Sequence, residues 1–262
     1  MRVIRFEDPT GQIHLGDWLP TGQAQILNGD LFGHLQPTAE MVTVHRLLPP
    51  LQPADIIAIG LNYRRHAAES GSAIPDAPLV FAKFTSSVIG PDDPIVLPDD
   101  APDEVDYESE LAVVIGRTAR KVSAESALSF VLGYTCANDV SARDCQRRRD
   151  KQWTRAKSFD TFCPLGPAIL IDPAVNPNAL AIRGQLNGQL VQDSSTADMV
   201  FSVPFLISYL SHQFTLRPGT VILTGTPEGV GMGRTPPRFL RAGDTFTVEI
   251  EGIGKLTNPV SK

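Results

Sequence analysis

The chain has 262 residues of ordinary globular composition, which is enough for one large domain or for a main domain with a small appendage. Its formal net charge of −6 argues against general binding to nucleic acids or anionic membranes, because either partner would require a basic excess. No apolar run reaches membrane-spanning length and the first residues, MRVIRFEDPTG, lack the apolar core of a signal peptide, so we expect a soluble cytoplasmic protein.

Short strands separated by turn signals such as DPTG and PTG are predicted over about the first 45 residues. A proline-rich segment, LLPPLQPAD, follows them and is typical of a hinge between domains. We therefore predict a small β-rich N-terminal domain over residues 1–50 and a catalytic domain over residues 51–262.

The rest of the chain combines apolar strand patterns with short helical patterns. Seven strands are predicted, at Asp55–Gly60, Pro78–Lys83, Leu111–Gly116, Gly133–Asn138, Ala181–Leu186, Thr220–Thr224 and Thr245–Glu251. Helices are predicted within NYRRHAAES, where Asn62 would be the N-cap, and at Ser123–Leu128, Ala142–Arg149 and Val203–Ser211. Because the strands outnumber the helices, we expect a strand-dominated α+β fold and not a doubly wound parallel sheet.

The three cysteines, Cys136, Cys145 and Cys163, fit neither a disulfide framework nor a zinc ribbon. We expect buried thiols in a reducing compartment. Arg143 and Arg147 lie near Cys145 in sequence, which leaves a reactive thiolate as the less favoured alternative.

The segment VDYESELAVVIG begins with carboxylates and ends as a core strand. In an extended chain Asp106, Glu108 and Glu110 share a face, and crowded carboxylates at the rim of a core repel one another unless a cation lies between them. Glu108 and Glu110 are thus candidate ligands of Mg²⁺ or Mn²⁺, with Asp139, which follows an apolar strand, as the third. The alternative is that all of them are solvated charges at strand ends.

His66 and Glu69 are three residues apart on a predicted helix, so their side chains can form a hydrogen bond. Such a pair is typical of a general base, in which the carboxylate orients the imidazole and stabilises its protonated form. The alternative interpretation is a pair of solvated surface residues.

The segment from Ala142 to Asp160 is the most basic part of the chain, and Trp153 lies within it. We interpret it as a site for a small anion and not for nucleic acid, because one short cluster on an acidic protein does not make an extended basic surface. Arg143 could hold a substrate carboxylate through two parallel hydrogen bonds, and Lys157 could supply a point charge.

The glycine-rich segment TGTPEGVGMG fits neither nucleotide-binding fingerprint, and a proline interrupts it. We interpret it as a loop whose backbone, beginning at Gly225, approaches a small ligand closely. The signatures of serine hydrolases with a nucleophile elbow, of zincins and of P-loop proteins are absent from the sequence.

Together these segments resemble the fumarylacetoacetate hydrolase family. The matching segments occur in the order GLNYRRHAAE, VDYESELAVVIG, NDVSARDCQ, AKSFDTFCPLGPA, LNGQLVQ and VILTGTPEGVG, and they extend over most of the chain from Asp55 onward. The combinations FTSSVIGP, SFDTFCPLGPA and TGTPEGVG resemble one subgroup of that family, which is associated with keto–enol tautomerisation.

The resemblance implies a mixed β-sandwich roll with a small N-terminal domain, a homodimer, and Mg²⁺ or Mn²⁺ held by Glu108, Glu110 and Asp139. It implies that His66 and Glu69 form a catalytic dyad on a lid. Contacts with the substrate are implied for Arg143, Gln146, Lys157 and Thr226. Members commonly have an acidic residue before the histidine of the dyad, whereas this chain has Arg65, whose charge would disfavour protonated His66.

The resemblance also implies small 2-oxo acids, such as acylpyruvates and oxaloacetate, as substrates that react through an enolate. Hydrolysis of a C–C bond is the leading reaction, with Lys157 beside the dyad among the catalytic residues. Tautomerisation and decarboxylation of oxaloacetate are alternatives at the same site. A member that binds dicarboxylates without turnover is a fourth possibility, disfavoured because the chain retains every metal and dyad position.

Overall fold

Strands dominate the fold, which a computed structural model describes over residues 1–262. The strands are β1 (Arg2–Glu7), β2 (Ile13–Trp18), β3 (Gln23–Gly29), β4 (Leu35–Thr43), β5 (Arg46–Leu48), β6 (Asp55–Gly60), β7 (Leu79–Lys83), β8 (Val88–Ile89), β9 (Ile95–Val96), β10 (Val105–Asp106), β11 (Ser109–Ile115), β12 (Val131–Asn138), β13 (Ser141–Ala142), β14 (Cys163–Leu170), β15 (Ala181–Leu186), β16 (Gln189–Ser195), β17 (Thr220–Leu223), β18 (Thr245–Ile250) and β19 (Gly254–Ser261). The α-helices are α1 (Arg64–Glu69), α2 (Thr154–Lys157) and α3 (Val203–Gln213). The predicted strand-dominated α+β fold is confirmed.

Two large sheets form the body of the molecule. The path through the larger sheet is β4-β3-β2-β1-β14-β12-β11-β17-β6-β7, with β5 and β8 attached beside it. The second sheet has the order β16-β15-β18-β19-β9, and β10 pairs with β13. Because β17 and β6 are parallel while β11 is antiparallel to β17, the larger sheet is mixed, as the predicted roll requires.

Strand β11 lies in the middle of the larger sheet, between β12 and β17, and every residue of it is buried. Leu111, Val113 and Ile115 pack into the largest apolar core, whereas Ala112 and Val114 pack into a second core. A strand that is buried on both faces is continuously apolar, as this one is after its first two residues. The acidic residues at the start of β11 are therefore held by a strand that is packed on both faces.

The N-terminal strands continue the larger sheet. Strand β1 pairs with β14, and Ile4 and Phe6 share a small apolar core with Ala168 of that strand. The division into residues 1–50 and 51–262 stays a prediction.

All seven predicted strands are present, within two residues of their predicted ends. The prediction of a helix over Ser123–Leu128 is wrong, because only a 3-10 turn forms at Ala127–Phe130. Ser126 Oγ donates to the Ser123 carbonyl, and local hydrogen bonds of this kind compete with helix formation. The helix predicted at Ala142–Arg149 begins instead as strand β13 and continues as a π-helical turn over Cys145–Arg149.

The prediction of Asn62 as the N-cap of α1 is also wrong, since Tyr63 occupies that position. The Asn62 amide donates to the carbonyls of Phe201 and Thr224 and accepts from the Phe201 N–H, so it fastens the start of α1 to two other segments. Helix α3 is confirmed and extends from Val203 to Gln213.

All three cysteines are free and buried, as predicted. Burial and the neighbouring Asp144 raise the pKa of Cys145, which argues against a reactive thiolate there. None of the helices has the length and apolar character that a membrane crossing requires.

Candidate active site

Three carboxylates meet where β11 begins and β12 ends. The two strands are antiparallel, with Ser109 opposite Asn138, so Asp139 lies beside Glu108, and the Asp139 N–H donates to the Glu108 carbonyl at 2.9 Å. One carboxylate oxygen from each of Glu108, Glu110 and Asp139 lies within 4.8 Å of the others, and all three residues are buried. The structure thus brings together the three candidate metal ligands, which come from separate segments of the chain.

Cations surround two of these carboxylates. Lys157 Nζ donates to Glu108 Oε2 at 2.8 Å and to Asp139 Oδ2 at 2.7 Å. Arg143 Nη2 lies 2.6 Å from Glu108 Oε1, and Lys83 Nζ donates to Asp139 Oδ1 at 2.5 Å. Sequence reasoning missed Lys83, although a lysine at the end of an apolar strand was an available signal.

Glu110 has no cationic partner, and the Gly225 N–H, at 2.8 Å, is its one protein hydrogen-bond donor. Burial raises the pKa of Glu110 well above its ordinary value, and the negative charges of Asp139 and Glu108 raise it further. Burial also acts to raise the pKa of Glu108, but Lys157 and Arg143 outweigh it and lower the pKa to about 2. The carboxylate of Glu110 is therefore the member of the cluster that no protein cation compensates.

The donor set fits a hard divalent cation. Its candidate ligand atoms are all carboxylate oxygens, which Mg²⁺ and related ions prefer. Counting the neighbouring Asp106, four buried carboxylates face three buried cations, Lys83, Arg143 and Lys157. One negative charge is left uncompensated when all seven groups are ionised, and a bound divalent cation would more than offset it.

Asp106 does not join this cluster, although it begins the acidic segment. Its carboxylate accepts from Arg143 Nε at 2.9 Å, from the Gly231 N–H at 2.7 Å and from the Met232 N–H at 3.1 Å. A Cβ on Gly231 would lie 2.4 Å from Asp106 Oδ1, so only glycine allows this approach. Asp106 thereby connects the glycine-rich loop to Arg143, a positioning role that sequence reasoning did not assign.

His66 and Glu69 form the predicted pair on α1. The distance from His66 Nδ1 to Glu69 Oε2 is 3.0 Å, and His66 is buried, unlike a solvated surface residue. Glu69 Oε1 accepts from the Gly229 N–H at 2.9 Å. Burial acts to raise the pKa of Glu69, but the hydrogen bonds from His66 and Gly229 outweigh it, so the pKa is lowered and Glu69 stays ionised.

One cavity of about 310 Å³ joins these groups. Its polar lining residues include His66, Glu108, Arg143, Gln146, Lys157 and Thr226. The Gln146 amide oxygen accepts from Arg143 Nη1 at 2.9 Å, and the Thr226 hydroxyl donates to the Ser109 carbonyl at 3.0 Å. Gly225 is not part of the lining, since its N–H is directed to Glu110, and its predicted contact with the substrate stays a prediction.

Residues 55–261 match the family model described as "Fumarylacetoacetate (FAA) hydrolase C-terminal". The chain belongs to the fumarylacetoacetate hydrolase family. It is 50% identical over 226 residues to the fumarylacetoacetate hydrolase domain-containing protein 2 homolog of Dictyostelium discoideum, covering 82% of this chain and 74% of that protein. It is also 44% identical over 257 residues to human "Oxaloacetate tautomerase FAHD2A, mitochondrial", covering 97% of this chain and 81% of the relative. The predicted subgroup of the fumarylacetoacetate hydrolase family is confirmed.

Solved structures of the fumarylacetoacetate hydrolase fold agree with this membership. The structure named 5-carboxymethyl-2-hydroxymuconate delta-isomerase, from Mycobacterium smegmatis, matches with a TM-score of 0.88 at 42% identity, covering 100% of this chain and 99% of that chain. A structure from Mycobacterium abscessus described as a putative uncharacterized protein matches with a TM-score of 0.88 at 45% identity over the full length of both chains.

Proposed function

We propose that this protein is a divalent-metal-dependent enzyme that converts small 2-oxo acids through their enolates. The observation that supports this most directly is the buried cluster of Glu108, Glu110 and Asp139 beside an assembled His66–Glu69 pair: Glu108 of the cluster and His66 of the pair line the same cavity. Mg²⁺ or Mn²⁺ is the proposed ion, held by these three carboxylates. When bound, such an ion would supply Lewis-acid polarisation of a 2-oxo group.

The basic side chains at the inner end of the cavity would hold the 1-carboxylate of the substrate. Arg143 is fixed by Asp106 and by the Gln146 amide oxygen, so its guanidinium is oriented before the substrate arrives. Lys157 is held against Glu108 and Asp139, where its charge would stabilise the enolate oxygen as it develops. The Thr226 hydroxyl lies on the same lining and is a further polar contact.

His66 is the proposed general base. The ionised Glu69 can only accept a hydrogen bond, so it selects the tautomer with the proton on His66 Nδ1 and leaves Nε2 free to take a proton. Arg65, the departure from the family pattern, is exposed and extends to Glu228, with Nη1 3.4 Å from Glu228 Oε1. We therefore propose that Arg65 pairs with Glu228 and does not take part in the His66–Glu69 pair.

C–C hydrolysis of an acylpyruvate is the leading reaction for this arrangement. His66 Nε2 would take a proton from water as the oxygen attacks the distal carbonyl, the C3–C4 bond would break, and C3 would receive a proton to give pyruvate and a second acid. This reaction needs an assembled dyad that can accept a proton. A protein that only binds dicarboxylates would not need one.

Keto–enol tautomerisation of oxaloacetate is the second candidate. It requires only that one proton move between C3 and the enol oxygen, and several relatives at 44–49% identity are named oxaloacetate tautomerases. Decarboxylation of oxaloacetate would use the same enolate without any nucleophile and is a third possibility at this site.

One experiment separates these reactions. Acetylpyruvate and enol-oxaloacetate are supplied in parallel, with and without Mg²⁺, while ultraviolet decay and pyruvate release are recorded separately. Pyruvate from acetylpyruvate identifies a hydrolase, enol decay without pyruvate identifies a tautomerase, and pyruvate with CO₂ from oxaloacetate identifies a decarboxylase. Inactivity toward both compounds with Mg²⁺ and with Mn²⁺ would contradict the proposal.

The homodimer and the cytoplasmic location stay predictions. Several of the relatives are named mitochondrial, so fractionation of the native cells is the appropriate test of location. The predicted absence of nucleic-acid binding would be contradicted by steep salt-dependent binding to oligonucleotides.

A further inference from the structure

Arg147 is an arginine of the basic segment that the mechanism above does not use. It lines the same cavity as Glu108, Arg143 and Lys157. We infer that Arg147 is a specificity-determining residue that binds a second carboxylate at the far end of the substrate. The inference rests on the proposed function, because it assigns the outer end of the same cavity.

The local backbone explains why Arg147 faces the cavity. The turn over Cys145–Arg149 is π-helical and is closed by the hydrogen bond from the Asp150 N–H to the Cys145 carbonyl at 2.9 Å. Such turns hold one more residue than an α-helical turn and occur often at functional sites. Gln146 and Arg147 line the cavity here, whereas the next arginine along the turn is engaged outside it.

The other arginines of this segment already have carboxylate partners. They pair as Arg143 with Asp106 and Glu108, Arg148 with Glu104, Arg149 with Asp144 and Arg155 with Asp150. Arg147 has none: its Nη1 contacts Met232 Sδ at 3.5 Å. A thioether is a weak acceptor and has no charge, so the guanidinium is held in place while its charge stays available.

Part of the cavity lining is apolar. Ile59, Phe81 and Trp153 belong to it, and Phe81 and Trp153 pack edge to face with ring centroids 5.4 Å apart. Trp153 lies so close to the chain that a Cβ on Gly60 would be 2.6 Å from its ring. A substrate with carboxylates at both ends and a carbon chain between them matches this combination of basic and apolar lining groups.

Pairing with Arg147 would also influence which reaction follows. An ion pair stabilises an intact distal carboxylate, whereas loss of CO₂ disperses the charge that the arginine holds. The interaction would therefore be stronger before decarboxylation than in its transition state. Arg147 accordingly favours proton transfer on a 2-oxo diacid over loss of CO₂.

The test uses substrates that differ at the far end. For Arg147→Met we expect kcat/KM for Mg²⁺-dependent turnover of oxaloacetate to fall about tenfold or more, with less than about a threefold change for acetylpyruvate, whose far end is neutral. Arg147→Lys should recover part of the loss, since it restores the charge without the planar fork. Arg148→Met is the matched control and should change neither value, because Arg148 pairs with Glu104 outside the cavity.

Binding provides a second measurement that does not depend on turnover. Calorimetry on the magnesium-loaded protein would compare 2-oxoglutarate with 2-oxopentanoate, which differ only in their terminal group. The wild type should prefer the diacid, and Arg147→Met should abolish that preference. Equal losses for charged and neutral compounds, or no loss for either, would overturn the role of Arg147, whereas inactivity of the wild type toward oxaloacetate and acetylpyruvate would instead overturn the proposed function.

Discussion

Asp8 and Glu110 are both buried carboxylates, but their surroundings differ. Asp8, in the turn between β1 and β2, accepts from the hydroxyl and N–H of Thr10, from the Gln12 N–H and from His14 Nε2 at 2.7–3.0 Å. The hydrogen bonds from Thr10 and His14 are the main reason that the pKa of Asp8 is lowered. Glu110 accepts from one protein donor, and burial raises its pKa.

Asp8 is a carboxylate whose hydrogen bonds stabilise the fold, whereas the surroundings of Glu110 are those expected of a carboxylate that binds a cation. A buried charge with a full set of donors contributes to stability, whereas a buried charge without them costs stability unless an external partner supplies what is missing. In the proposed function, Glu110 supplies the third oxygen ligand of the metal ion. Substitutions at the two positions should therefore have opposite effects.

Glu110→Gln should have the largest effect on activity. It removes one negative charge from the candidate metal site, so metal-dependent turnover should fall at least about 1000-fold, the equivalent of several kcal/mol. Thermal unfolding should show an unchanged or higher Tm, because an uncompensated buried charge is lost. Mg²⁺ titration calorimetry would check the cause, and wild-type affinity in the variant would remove Glu110 from the metal site.

Glu69→Gln sharpens the comparison, because Glu69 has donors, as Asp8 does, yet is hydrogen-bonded to His66, which lines the cavity. With the charge removed, protonated His66 loses its stabilisation, and hydrolysis of acetylpyruvate should fall by about 100-fold. The Tm should change little, since Gln can still accept one hydrogen bond. His66→Ala is the companion variant, and it should impair hydrolysis far more than decarboxylation of oxaloacetate. Equal losses in the two reactions would show that the pair positions the substrate and does not activate water.

Asp106→Asn tests a carboxylate that has donors and also supports the site. With the Tyr107 N–H, Asp106 has four donors, and an amide leaves one acceptor oxygen for them, at a cost of about 1–3 kcal/mol in the free energy of unfolding. Because Arg143 loses one of its two carboxylate partners, KM should rise about tenfold while kcat changes less. A matching loss in Arg143→Lys would support the shared role. If Asp106→Asn had a lower Tm but the wild-type KM, Asp106 would have a structural role only.

Asp8→Asn should leave catalysis unchanged, the smallest effect of the four, and should lower the Tm at pH 7. A carboxylate whose folded pKa is lowered stabilises the protein above its unfolded pKa, near 3.8, and this stabilisation is lost as the pH falls toward the folded pKa. The difference in Tm between variant and wild type should thus be complete at pH 7 and shrink below about pH 4. A difference that persists in acid would mean that shape, and not charge, holds this turn.

The sequence was sufficient to predict the strands and the three candidate metal ligands. A period of two places Glu108 and Glu110 on one face, and Asp139 is recognisable because a charge follows an apolar strand. The partners of these groups were not predictable, since Lys83 and the glycine-loop donors to Asp106 come from distant segments. The π-helical turn was missed because its sequence has an ordinary helical pattern, and the bonds that define it depend on the surrounding packing.

The position of β11 in the middle of the sheet has a consequence for how this enzyme can change over time. The carboxylates Glu108 and Glu110 lie at the start of a strand packed on both faces, where substitutions would disturb the core, whereas Arg147 lies on an exposed part of a turn, where substitutions would disturb the fold less. With the role inferred for Arg147, substitutions at that residue would change substrate preference without altering β11. In this arrangement the choice of substrate depends on the turn, and the activation of the substrate depends on β11.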